Sequence, residues 1–224
     1  MGKKFNADGS VRPFAGNTIV CHLPQQGPQR AVFKDVLEFY KAFPGLPYKG
    51  KITMLPASTL HVTLFDVLHE FKRDSEYWPK ELANDVSMDE CNQWMVSKLK
   101  EKNIKVDLPI RLLVDSTYTE QTSHGGWDTW KLQLVPLDQD EEVKIRNVRQ
   151  EIAGALGIPE PKNTVFHVTV AYINEDLTAE ESALLKSYSD KFHHEGRKVL
   201  ELGCPEVCSF PDMFYMERIC FLGE

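Results

Sequence analysis

The sequence predicts an α+β fold: a bilobal chain of two pseudo-symmetric strand-helix-strand lobes whose antiparallel sheets surround a central cleft. Three observations carry that expectation. A strand ending in Leu23-Pro24, a helix and a strand holding His61 are followed by a strand ending in Val135-Pro136, a helix and a strand holding His167. The tripeptide His-Val-Thr occurs in both closing strands, at 61–63 and at 167–169. The 224 residues, 42% hydrophobic and 26% charged, leave room for one large domain or two small lobes sharing a core, and for little else. The repeat divides the chain into a first lobe over about 14–105 and a second over about 106–224, with terminal strands free to cross between them.

Each element has a local reason. Asn17 to Leu23 is β-rich and stops at Pro24, so it reads as a strand. Gln29 to Phe43 sets Val32, Phe33, Val36, Leu37, Phe39 and Tyr40 at helical spacing, and Pro44-Gly45 ends it. Leu60 to Val67 is a strand again, followed by a charged, irregular stretch, Glu70 to Asp85, with Trp78-Pro79 inside it. Ser87 opens a helix that runs to about Lys102, with Glu90 completing a capping box. Pro109 to Tyr118 and Trp127 to Val135 read as strands joined by a loop with Gly125-Gly126, where His124 is a turn residue. Asp138 to Leu156 is helical: its acidic start complements the helix N-terminus and Gly157 closes it. Thr164 to Ile173 is a strand and Thr178 to His194 a helix with Glu181 at the capping-box position. β character returns around Lys198–Leu202 and Phe214–Leu222.

Composition excludes several functions. No apolar run approaches the ~18 residues of a membrane span, and the first residues lack the apolar stretch of a secretory signal. The expected setting is cytoplasmic, with the nucleus also open. Thirty-three acids against twenty-six bases give a net charge of −7. Proteins that track along nucleic acid draw affinity from a basic excess, so any phosphate handled here should belong to a small molecule or a strand end. Five cysteines read as free thiols. Cys204 and Cys208, near His193, His194 and Cys220, lack the paired knuckles of a zinc site, and no phosphate-binding or dinucleotide glycine pattern appears. No cofactor and no metal are expected, and the chain reads as a monomer.

The duplicated tripeptide carries the chemistry. Seven histidines and eleven threonines would give roughly 0.3 His-x-Thr pairs by chance; two, in the matched frames LHVTLF and FHVTVA, are more than chance supplies. Residues i and i+2 of a strand share a face, so His61, Thr63 and Phe65 point one way, as do His167, Thr169 and Ala171. If the lobes face each other, two imidazoles and two hydroxyls converge on one cleft. One imidazole could take a proton from an attacking hydroxyl while the other, protonated, donates to the leaving oxygen. The hydroxyls could donate to non-bridging phosphate oxygens, where charge builds in the transition state.

At these residues the sequence resembles the two-histidine (2H) phosphoesterase superfamily, which includes RNA 2′,3′-cyclic phosphodiesterases and carries two His-x-Thr/Ser motifs across a bilobal fold. Three further stretches look like one bacterial and fungal branch of it: Pro13-Phe14-Ala15-Gly16-Asn17-Thr18, Arg73 with Trp78-Pro79, and Pro211-Asp212-Met213-Phe214. The resemblance implies that His61 and His167 are the catalytic pair and that Thr63 and Thr169 hold the phosphate. It implies a metal-independent phosphodiesterase acting on a cyclic phosphate or small nucleotide phosphodiester, with a small nucleotide or an RNA end as partner. The alternative is a module that binds the same ligand without turnover. Phe65 could stack on a base or belong to the core. Arg73 and Trp78 could form a lid or substrate contact, or a solvated loop. Tyr172 has the wrong parity for the cleft if its strand is regular, which favours the core.

Overall fold

A computed structural model describes residues 4–48, 50–118, 129–160 and 165–224. The loop predicted at Gly125-Gly126, His124 within it, and the predicted strand starts at Trp127 and Thr164 lie outside the described residues. In chain order the elements are β1 (Gly16–His22), α1 (Ala31–Ala42), β2 (Ile52–Met54), β3 (His61–His69), α2 (Met88–Lys102), β4 (Ile110–Val114), β5 (Thr129–Pro136), α3 (Gln139–Leu156), β6 (Phe166–Ile173), α4 (Ala179–His194), β7 (Val199–Leu202), β8 (Glu206–Asp212) and β9 (Tyr215–Phe221). The fold is α+β, as the sequence predicts. A four-stranded sheet in the order β3-β1-β8-β9 faces a five-stranded sheet in the order β2-β6-β5-β4-β7, and every pairing is antiparallel.

The helix ends follow the sequence signals. Ser87 with Glu90 and Thr178 with Glu181 form complete capping boxes, each satisfying backbone donors that the first turn leaves unpaired. Asp138 caps α3 by accepting from the Glu141 amide, and Gly157 closes it in the left-handed conformation at φ 61°. β4 ends at Val114, short of the predicted Tyr118, because the Asp115 carboxylate takes the Thr117 amide (2.9 Å) and hydroxyl (2.7 Å) and turns the chain.

The sheets do not follow the two halves of the sequence. β2, from the first half, pairs with β6, while β8 and β9, from the end of the chain, pair beside β1. The helices exchange as well. Phe39 of α1 stacks on Trp130 of β5 at 4.1 Å and meets Tyr188 of α4 edge-on at 5.3 Å, so α1 covers the second sheet. α2 buries Cys91, Met95 and Leu99, spaced one helical turn apart, and lies against β1 and α3. A single apolar cluster runs through both sheets. A division near residue 105 therefore separates neither the sheets nor their helices.

Candidate active site

β3 and β6 lie against one another where the two sheets meet, and the cavity beside them is lined by His61, Thr63, His167 and Thr169. Its volume is about 330 Å³, at the small-ligand end of the usual range. The four residues that strand parity set on two shared faces thus come to one place. A larger cavity, about 590 Å³, lies between α1 and α4 and is lined by Phe39, Trp130 and Tyr188 instead.

The two imidazoles are held alike. His61 Nδ1 lies 2.6 Å from the Thr59 carbonyl and His167 Nδ1 lies 2.9 Å from the Val165 carbonyl, in each case two residues upstream. A carbonyl oxygen only accepts, so Nδ1 carries the proton in both rings and Nε2 is left to the cavity. Thr59 is itself fixed in a tight turn, its hydroxyl donating to the Pro56 carbonyl at 2.8 Å. Burial is the first cause that lowers both imidazole pKa values. For His61, with positive charge from His22, His167 and Lys4 adding to burial against the hydrogen bond to Thr59, the pKa falls to about 4. His167 is lowered by burial and by Lys131 and Lys4, against its bond to Val165. With both values lowered, the two rings are neutral at pH 7.

Each motif is followed by a matched irregularity. On β3, Thr63 pairs with Val20 and Phe65 with Ile19, so Leu64 has no opposite residue. On β6, Thr169 pairs with Lys131 and Ala171 with Trp130, so Val170 is the extra residue. Both bulges stand three positions after the histidine. A bulge reverses the in–out alternation beyond it, and this corrects two expectations. Phe65 turns into the core, 1% exposed, and does not line the cavity. Tyr172, whose strand is not regular, turns toward the cavity and lines it. The carbonyls freed by the bulges find other donors: Arg149 Nη1 donates to Leu64 O at 3.0 Å and the Leu55 amide to Val170 O at 2.9 Å.

Arg73 and Trp78 do not reach the cavity either. Arg73 forms a two-pronged pair with Glu70 (2.6 and 2.9 Å), donates to the Asn84 carbonyl at 2.9 Å, and lies 4.9 Å from the Trp78 ring. Trp78 is buried and donates to the Leu82 carbonyl. The insertion closes on itself and leans on α2 through Glu81, which takes Lys98 and the Trp94 indole. It is neither a lid over the cleft nor a loose solvated loop.

Several cavity residues escaped sequence reasoning. Arg149 reaches in from α3, nearly fully buried, with Nε on Glu160 at 3.0 Å. Its position at a polar-looking place in a helix gave no signal. Phe14 and Thr18, and Asp212 and Met213, line the wall from two stretches distant in sequence. The Phe14 amide donates to the Pro211 carbonyl at 2.9 Å, which joins those stretches; their resemblance to one branch was the available signal. Lys4, Asp66 and His69 also line the cavity.

Among the described residues, one set of donors could hold a metal: His22, Glu206 and Cys208, whose ligand atoms lie within 4.8 Å of one another. One imidazole, one carboxylate and one thiol would suit a zinc-like ion. As they stand, Glu206 is satisfied by His22 at 3.1 Å and Arg218 at 3.1 Å, and burial pushes the Cys208 thiol up to about 12. His193 is engaged elsewhere, accepting from the Gln133 amide at 3.0 Å while its Nδ1 donates to the Ser189 carbonyl at 2.7 Å.

Among known structures, one shares this fold over nearly the whole chain. A structure of a conserved protein of unknown function from Agrobacterium tumefaciens superposes with a TM-score of 0.78 at 23% identity, over 99% of this chain and 91% of that one. A Thermus thermophilus protein gives a TM-score of 0.49 at 11% identity, over 95% of this chain and 98% of that one. Escherichia coli LigT in its apo form gives 0.48 at 9% identity, over 94% and 97%. No curated protein matches. The family match covers residues 4–123, more than half of the chain, and its description is 2H-phosphodiesterase, domain of unknown function (DUF1868). The chain belongs to this 2H-phosphodiesterase family.

Proposed function

We propose that the protein hydrolyses a cyclic phosphate or small nucleotide phosphodiester, a 2′,3′-cyclic phosphate end being the simplest case, by two-histidine general acid–base catalysis. The observation that carries this reading is the pair of Nδ1-anchored imidazoles and their two threonines lining one small cavity. A neutral imidazole takes a proton from water through Nε2 as the water oxygen attacks phosphorus. The P–O bond to the ribose oxygen breaks in line, and the second imidazole, protonated, gives that oxygen its proton. One water is consumed, and the cyclic diester becomes a monoester. Thr63 and Thr169 donate to the non-bridging oxygens as their charge rises. The more strongly lowered proton affinity suits His61 to the neutral base, which leaves His167 as the acid. An arriving phosphate anion restores the basicity that His167 needs to hold its proton.

The test uses His61→Ala and His167→Ala on a nucleoside 2′,3′-cyclic phosphate and on a diester with a p-nitrophenyl leaving group. Both variants should lose at least ~10² in turnover on the cyclic substrate. On the nitrophenyl diester, whose leaving group needs no proton, His167→Ala should retain far more of its rate than His61→Ala. The reaction as written needs no metal, so EDTA should leave it unchanged. Near-wild-type turnover by both variants, or saturable nucleotide binding with no product on any diester, would overturn the hydrolase reading.

A further inference from the structure

Residues 4–12 form a hairpin ahead of β1. The Arg12 amide donates to the Lys4 carbonyl and the Asn6 amide to the Ser10 carbonyl, both at 2.9 Å, and Phe5 bridges to Val11. The hairpin is fastened to both sheets. Thr53 of β2 donates to the Gly9 carbonyl at 3.1 Å, and the buried Phe5 ring lies 4.9 Å from Tyr172 and 5.7 Å from Phe214. Gly9 sits at φ +81°, where a Cβ would come within 2.8 Å of the Thr53 hydroxyl, so the turn strongly favours glycine.

What this scaffold delivers is Lys4. Its Nζ donates to Tyr172 Oη at 3.0 Å and lies 5.2 Å from the centroids of both the Phe14 and Tyr172 rings, in the wall of the cavity that holds the two imidazoles. Among the described residues no carboxylate is within 4.0 Å of it. Arg149, the other cavity cation, has Glu160 at 3.0 Å. Two ring faces and a phenol oxygen orient an ammonium but do not neutralise it.

We infer that Lys4 is a phosphate-binding cation of the cleft, held there by the hairpin, whose counter-charge is the anionic diester of the substrate. This rests on the phosphodiesterase reading for the identity of the anion, though not for the existence of the anion site. Lys4 also acts on both histidines, since its charge helps to hold down their proton affinity, after burial in each case. The other groups bearing on the rings are His22 beside His61, Lys131 beside His167, and Arg149, His69, Asp66 and Asp212 around the cavity. A bound phosphate screens Lys4 and lets an imidazole take up a proton.

Lys4→Met and Lys4→Arg test this with two readouts. On a 2′,3′-cyclic nucleotide, Lys4→Met should lower kcat/KM by ~10² and Lys4→Arg by less than ~5-fold. Proton NMR titration of the histidines, assigned with the two alanine variants, should show His61 and His167 titrating at higher pH in Lys4→Met, with a smaller response to inorganic phosphate. Unchanged kcat/KM and unmoved titrations in a folded Lys4→Met protein overturn the inference and leave the hydrolase reading intact. If the wild type turns over no diester yet loses its phosphate response on Lys4→Met, the anion site stands and the hydrolase reading falls. Should Lys4→Met not fold, the wild-type protein with ¹³C-dimethylated lysines decides: the signal missing from Lys4→Arg must shift on adding phosphate, and an unmoved signal overturns the inference.

Discussion

At the scale of single residues, the proposed chemistry rests on a carbonyl placed two positions before each histidine, which fixes the tautomer before any ligand arrives. The same burial that lowers the imidazole pKa values links protonation to stability. An unfolded histidine titrates near ~6.5, whereas folded His61 titrates at about 4, with His167 and His193 also lowered. Between those values the unfolded chain binds more protons than the native one, so stability rises with pH there. It is intact above ~6.5 and declines as pH falls toward ~4. Urea midpoints should therefore drop from about pH 7.5 to about pH 5.5, and His61→Gln should flatten that drop; an equal slope in both proteins would show that His61 is not buried in its neutral form. The motif was legible in sequence because i and i+2 share a face over so short a span. Phe65 and Tyr172 were misread because a one-residue bulge leaves no mark in a run of apolar β-formers.

At the scale of elements, the matched bulges on β3 and β6 turn equivalent positions the same way, Phe65 and Ala171 into the core and Asp66 and Tyr172 to the cavity. Each bulge carbonyl needs a donor from outside its own ladder. For Leu64 that donor is a buried guanidinium, a bond of the charge-assisted class. Arg149→Met keeps most of the stem but removes this donor and the Glu160 pair, and should cost about 1–3 kcal/mol by urea denaturation. A loss within experimental error would mean that the bulge does not depend on it. Helix ends were the most legible elements, since Ser87, Asp138, Gly157 and Thr178 each announce themselves by a bond only they can make. β2 and β8 were not. Three residues of β2 are too few to show alternation, and β8 runs through Pro211, a residue that argues against a strand until it is known to sit at the strand's end.

At the scale of the whole molecule, the duplication visible in the sequence is a duplication of units, not of independently folding halves. The sheet that holds β1 and β3 is completed by β8 and β9 from the far end of the chain, and α1 has its apolar face on the other sheet. A fragment of residues 1–105 should therefore fail to show a cooperative thermal transition or dispersed amide resonances, while the full chain melts in one step. A well-folded fragment would restore the simple division into halves. The sequence announced the repeat and left the terminal strands free to cross, but not which strand they join, because periodicity reports neighbours along the chain and strand order depends on partners some 190 residues apart (Val20 and Glu206 among them). The net charge of −7 belongs to this scale too. Within a chain of that charge, Lys4 is the cavity cation with no carboxylate within 4.0 Å among the described residues, a local positive point suited to a compact anion.

The lacing of the two sheets has a kinetic consequence. Swinging the two sheets apart would open the single apolar core that runs through both, so domain opening is a costly way to exchange ligands. The hairpin over residues 4–12 shares in that core through Phe5 and is tied to Thr53 through Gly9, so it stays with the body it is packed on. The cleft therefore meets its ligand pre-formed, with Lys4 already in its wall.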